Sequence, residues 1–240
     1  MDFHEIEQWL TETAPHAGAL SVRVYFEELA RFIRRHINGG LDMSETEEIE
    51  ALLKDKANLE SAVAIASAWP DVRKRMLTSL KGQLVELWKE EQQDSADGKL
   101  LGFEETMIKG SAECWFGFTR TSGQVFLLSF AFERSGLRGL YWGVSTLEGN
   151  IPKEHQAASS RIAELMRGEF GFDGQTNQWW AWWAYADRDP ITEEFKDWQS
   201  SAEPWVQIQS GELARKIVQI VNLAYQTLSD QPNLLKGLER

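Results

Sequence analysis

A single cysteine, Cys114, stands in 240 residues, so no disulfide can form within the chain. A reducing, cytoplasmic setting is the expectation that follows. The four histidines, His4, His16, His36 and His155, are scattered with no second ligand at metal spacing, which leaves a zinc site unsupported. No apolar run approaches the roughly 20 residues of a membrane span. The acidic start Met1-Asp2-Phe3-His4-Glu5 lacks the basic-then-apolar order of a signal peptide. Positive charge is short as well: 25 lysines and arginines face 37 aspartates and glutamates, a net charge of −12. Such a surface repels phosphates at long range, which argues against nucleic-acid binding over the whole surface but leaves room for a local basic patch. The acids are spread along ordinary helices beside lysines and arginines, the pattern of a solubilising surface.

Catalytic motifs are missing too. Gly168 to Gly174 is glycine-rich, yet it has neither the preceding strand nor the lysine of a phosphate loop. A metal-dependent nuclease of the PD-(D/E)XK type needs an Asp on one strand and a Glu-x-Lys on the next, the carboxylates holding magnesium and the lysine serving the attacking water. Glu194-Phe195-Lys196 supplies the only Glu-x-Lys, inside a predicted helix, and Pro70-Asp71 lies at a predicted helix start far upstream. Cys114 falls in a predicted strand beside Trp115 and Phe116, where a buried structural thiol is expected.

What the chain has is tryptophan. Of its 11, Trp179, Trp180, Trp182 and Trp183 fall within five residues. Rings at that density either close a core or form a stacking and docking surface. The interspersed alanines let rings point both ways, so some should be core and some near the surface.

Up to about residue 95 the spacing predicts helices. Asp2 and Glu5, then Ser44 and Glu47, have capping-box spacing. Val22, Tyr25, Phe26, Leu29, Phe32, Ile33 and Ile37 stripe a helix that Gly39-Gly40 stops. Asn58 can cap a helix ending at Trp69 before Pro70, and Val72, Met76, Leu80, Leu84, Leu87 and Trp88 stripe a longer one. The polar Lys89–Gly98 segment then divides a helical region, 1–95, from residues 96–240, unless the two make one continuous domain.

Beyond it the period becomes alternating. Cys114, Phe116 and Phe118 share a strand face, as do Phe126, Leu128, Phe130 and Phe132, and then Leu140, Trp142 and Val144. A further strand is placed around Leu101–Ile108. Short connectors at Thr121-Ser122-Gly123 and Ser135-Gly136 make these an antiparallel meander of three to four strands. Helices return after Pro152, and a last one from about Gly211 to Leu228 carries Leu213, Ile217, Val221 and Leu228. The class is α+β, with C-terminal helices covering one sheet face.

Several segments, in order, carry a resemblance. They are Ile6–Leu10, Val22–Leu29, Leu41–Met43, Asn58–Ala62, Gly139–Val144 and Trp179–Trp183. Together they resemble the C-terminal half of a bacterial and phage branch of the PD-(D/E)XK nuclease superfamily. In that family this region follows the nuclease core, so the strand-borne Asp and Glu-x-Lys have no counterpart here and no catalytic residue carries over. The resemblance implies ancestry in a nuclease or defence-type protein rather than activity. The expectation is a non-catalytic accessory module, without cofactor or metal, that binds a partner protein or nucleic acid, in one setting a separately encoded nuclease subunit in phage–host defence. A divergent metal-dependent nuclease and an acidic DNA-mimic inhibitor are the alternatives. Candidate contact residues are Trp179, Trp180, Trp182 and Trp183, with two basic clusters: Arg31, Arg34, Arg35 and His36, and Arg73, Lys74 and Arg75. The basic residues have a competing reading as solvated helix faces paired with Glu27, Glu28 or Asp71.

Overall fold

The computed structural model describes residues 3–16, 25–26, 29–30, 43–92, 97–109, 113–147, 149–186, 198–199, 201–229 and 233–236. Met1–Pro70 and Asp71–Arg240 form two compact units. In the first, α1 (Phe3–Thr13) and α2 (Met43–Leu53) are helical. Leu10 and Ala30 are buried there, with Ile6, Phe26 and Leu29 packed on them. Most of the helix predicted from Leu20 to Asn38 lies outside the described residues. Ser44 lies one residue inside α2 rather than ahead of it.

The helix α3 runs from Lys56 to Glu91 and contains Pro70, correcting the expected break at Trp69. Proline deprives the Ala66 carbonyl of its N–H donor, a defect of about 3 kcal/mol in a helix interior. Ala66 and Pro70 are both exposed, so water can reach that carbonyl. The cap also differs from expectation. Asp55 Oδ1 accepts the Asn58 N–H at 3.0 Å, so Asp55 caps α3, while Asn58 Nδ2 donates back to the Leu52 carbonyl at 3.1 Å.

In the second unit the period changes after α3. Five strands follow in simple meander order: β1 (Lys99–Leu101), β2 (Trp115–Thr119), β3 (Phe126–Arg134), β4 (Arg138–Thr146) and β5 (Trp180–Tyr185). All neighbours are antiparallel. The sheet thus has one strand more than the alternation suggested, because the tryptophan run is itself a strand. The strand placed over Leu101–Ile108 stops at Leu101. Gly102 takes φ 77, a left-handed value that a strand cannot continue through, and Phe103–Ile108 wind into a π-helix.

Alternation puts Phe126, Leu128, Phe130 and Phe132 on one face of β3, and all four are buried. Phe116, Phe130 and Trp142 are opposite one another in the register of β2, β3 and β4. The Phe116 and Phe130 rings stack at 5.2 Å, and Phe130 and Trp142 at 6.2 Å. This face joins one core with α4 (Gln156–Phe170), α5 (Glu203–Ser210), α6 (Glu212–Ser229) and the second half of α3. From α3 it takes Leu77, Leu80, Leu84 and Trp88, and from α6 Leu213, Ile217, Val221 and Leu228. Trp88 stacks on Tyr225 at 5.6 Å, and the buried Tyr225 hydroxyl donates to the Phe118 carbonyl at 2.6 Å. Burial pushes that phenol well above its usual range, so it remains a neutral donor.

Phe130→Ala should therefore cost about 3–5 kcal/mol in a denaturant melt. A loss under about 1 kcal/mol would contradict the packed register. Tyr225→Phe leaves the ring and removes one buried hydrogen bond, for an expected loss of about 1–2 kcal/mol.

Candidate functional site

The four clustered tryptophans have different fates, and a β-bulge separates them. Trp182 pairs with Val144 and Trp183 with Gly143, but Ser145 pairs with Trp180, leaving Ala181 as the extra residue. Without the bulge Trp180 and Trp182 would share a face; the inserted residue turns Trp180 over. The bulge needs Gly143: a Cβ there would sit 2.1 Å from the Trp182 carbonyl oxygen.

Trp182 enters the phenylalanine core. Its ring meets Trp142 at 5.3 Å, Phe172 at 5.6 Å and Phe170 at 5.9 Å. The glycine-rich loop expected from Gly168 to Gly174 is shortened, since Gly168 to Phe170 belong to α4 and bring Phe170 onto that ring. On the opposite sheet face Tyr141 meets Trp180 and Trp183 at 5.2 Å each, and Trp183 meets Tyr185 at 5.3 Å. These rings lie outside the main core. Trp183, Tyr141 and Tyr185 are half-buried, and Trp180 is buried. Burial, and then the charges of Glu113, Tyr185 and Glu133, push the Tyr141 phenol up. Sequence alternation gave no notice of Tyr141 and Tyr185 as members of this group; their pairing as direct cross-strand neighbours brings them in.

Trp179 alone is well exposed, at 49%. Its backbone is nevertheless fixed. Asn177 Oδ1 accepts the N–H groups of Trp179 at 2.8 Å and Trp180 at 2.9 Å, and the Trp179 carbonyl accepts the Thr146 N–H at 3.1 Å. Leu147, next to Thr146 and 43% exposed, flanks the same rung. Two large apolar side chains are thus displayed on a hydrogen-bonded strand end.

Of the candidate residues, Arg31, Arg34, Arg35 and His36 lie outside the described residues, as do Glu194 to Lys196. Arg73, Lys74 and Arg75 lie on α3, Arg73 half-buried and the other two exposed. The structure brings Lys74 together with residues the spacing had not singled out. Lys81, seven positions on along α3, forms an ion pair with Glu104 at 2.8 Å. Lys109 closes the π-helix, its N–H donating to the Glu104 carbonyl at 3.0 Å. The hydrogen bond from Lys81 holds the Glu104 carboxyl below its usual range; burial, the next largest effect, opposes it, and the charges of Lys81, Lys109 and Lys74 add to the lowering. The seven-residue interval of Lys74 and Lys81 was the available signal; the π-helix was not legible.

Cys114 lies one residue ahead of β2 and is half-buried, not enclosed in the strand. Its Sγ donates to the Thr106 carbonyl at 3.7 Å, and burial pushes the thiol up despite the charge of Arg73. Among the described residues no group of three or more His, Cys, Asp and Glu could hold a metal ion, and no helix is long and apolar enough to cross a membrane.

Trp182→Ala should cost about 3–5 kcal/mol in urea melts, and Trp179→Ala less than about 0.5 kcal/mol. Equal losses at the two positions would contradict the division made by the bulge. Cys114 should react with iodoacetamide at pH 7.5 more slowly than a free cysteine, since less of it is thiolate; a faster reaction would contradict the upward shift.

No family model matches this chain, and no curated protein or solved structure matches it significantly. The resemblance to PD-(D/E)XK nucleases is therefore an expectation from the sequence segments alone.

Proposed function

We propose that the chain is a non-catalytic accessory module of nuclease-like ancestry that binds a partner protein through the strand end bearing Trp179. The observation that carries this reading is the contrast between a half-exposed ring and a fully bonded backbone. A large aromatic already held in place loses little conformational freedom on binding, which is why such residues dominate interface energetics. The carboxylates of Glu113 and Glu133 near Tyr141 disfavour the aromatic sheet face as a platform for nucleic acid, since they would repel a phosphate backbone. The proposed setting is a reducing cytoplasm, supported by the single cysteine, with a separately encoded nuclease subunit in phage–host defence as the proposed partner.

The test has two arms. Purified wild type incubated with single- and double-stranded DNA or RNA plus magnesium or manganese should leave the nucleic acid intact. Cleavage abolished by Glu194→Ala would replace the module reading with a divergent nuclease. In the second arm, wild type and Trp179→Ala are titrated against the separately encoded nuclease subunit proposed as the partner. The variant should bind about thirtyfold or more weakly, the scale of an interface hot spot, with an unchanged melting temperature. Equal affinity of the two, or no complex with wild type, would overturn the proposal.

A further inference from the structure

The cations around Glu104 form a second surface, independent of Trp179. Lys74 and Lys81 are two helical turns apart on one face of α3, roughly 10 Å along the axis. Thr78, exposed between them, donates to the Lys74 carbonyl at 2.9 Å. The π-helix brings a third lysine to the same place. Its hydrogen bonds run five residues rather than four, so Lys109 sits one turn beyond Glu104, whose carboxylate is already on Lys81. The π-turn is anchored from below: the Thr106 hydroxyl accepts the Trp115 N–H at 3.1 Å and lies 2.9 Å from the Gly102 carbonyl. The Trp115 ring closes over Gly102, 3.0 Å from where a Cβ would stand.

Local charge here is opposite to that of the whole chain. Residues 71–81 and 103–109 hold five cations (Arg73, Lys74, Arg75, Lys81 and Lys109) and three anions (Asp71, Glu104 and Glu105), against −12 overall. The ion pair is about a third exposed on each side, at 36% for Lys81 and 39% for Glu104. A pair so open to water contributes little to stability, which leaves the gathering of lysines from two elements without a folding rationale.

We propose that Lys74, Lys81 and Lys109 form a contact site for the phosphodiester backbone of nucleic acid, with Glu104 as an internal counter-ion that a phosphate displaces from Lys81. Lysine serves as a point charge for phosphate and needs no bidentate geometry. The site reads charge and spacing, not sequence. It adds a nucleic-acid contact to the protein-binding role proposed above and does not depend on it.

Fluorescence anisotropy of a labelled 20-nucleotide DNA, single-stranded and as a duplex, tests the site in the full-length protein. Wild type should bind at about 50 mM salt, with the logarithm of affinity falling against the logarithm of salt at a slope of about −3 for duplex, as expected for three phosphate contacts. The double variant Lys74→Glu/Lys109→Glu should bind at least about tenfold more weakly. Glu104→Gln is the decisive variant, because it frees Lys81 and should tighten binding about threefold. A merely structural ion pair would instead give unchanged or weaker binding in Glu104→Gln, and that result overturns the proposal. So does absence of binding by wild type. If the charge reversals disturb folding, as judged by circular dichroism, the pair Lys74→Gln/Lys109→Gln makes the same comparison.

Discussion

A row of rings crossing the sheet at right angles to its strands sets the register on which the second unit depends. Phe116, Phe130 and Trp142 sit directly opposite one another on β2, β3 and β4, with Phe116 and Phe130 tilted by only 9°. Trp182 then meets Trp142, and Phe170 on α4 stacks against Trp182. A slip of one residue between any two strands would turn an entire ring set toward the other face and break this row. Each ring carries about 1.5–3 kcal/mol of burial that a slipped register would lose. The helices obey the same row: Trp88 on α3 meets Phe118 at 5.3 Å, and Tyr225 on α6 bonds the Phe118 carbonyl.

The last strand carries more rings than one face can hold, and the bulge at Ala181 divides them. Trp182 completes the inner row while Trp180 and Trp183 clasp Tyr141 outside. An aromatic edge strand is an aggregation hazard, because its free backbone groups and apolar faces template further pairing. Here Gln175 and Trp183 exchange both backbone hydrogen bonds, at 2.7 and 2.9 Å, and the Asn177 N–H donates to the Trp180 carbonyl at 3.0 Å. The edge is thereby capped along the bulged part, and only Trp179 remains prominently displayed.

Alternating large apolar residues made β2, β3 and β4 legible, because a period of two over such residues has a single structural meaning. The same logic fails for Trp179 to Tyr185, where nearly every position is aromatic or alanine and no polar residue marks the outer face. A bulge leaves no trace in such a run; only Gly143, on the neighbouring strand, signals it. Pro70 misled for a different reason. Proline argues for a helix end, yet the chain on both sides has strong helical preference, and Leu77, Leu80, Leu84 and Trp88 dock the continuation firmly. The basic candidates were half legible: Arg73, Lys74 and Arg75 stand together in sequence and Lys81 follows Lys74 by two turns of α3, whereas Lys109 joins them only through the π-turn.

Net charge is a poor guide to either surface, since it acts over distances that salt shortens. The Debye length is about 8 Å at physiological ionic strength, short against the breadth of a folded unit of this size. A phosphate beside Lys81 therefore feels Lys74, Lys109 and Glu104 far more than the remaining acids of a −12 chain. Those distant acids act on approach instead, and would lower the rate at which a polyanion meets the protein. Around Tyr141 the balance is reversed, because Glu113 and Glu133 are close enough to raise a phenol's pKa. On both proposals the nearest charges, placed by the sheet and the π-helix, would select the ligand rather than the net charge of the chain.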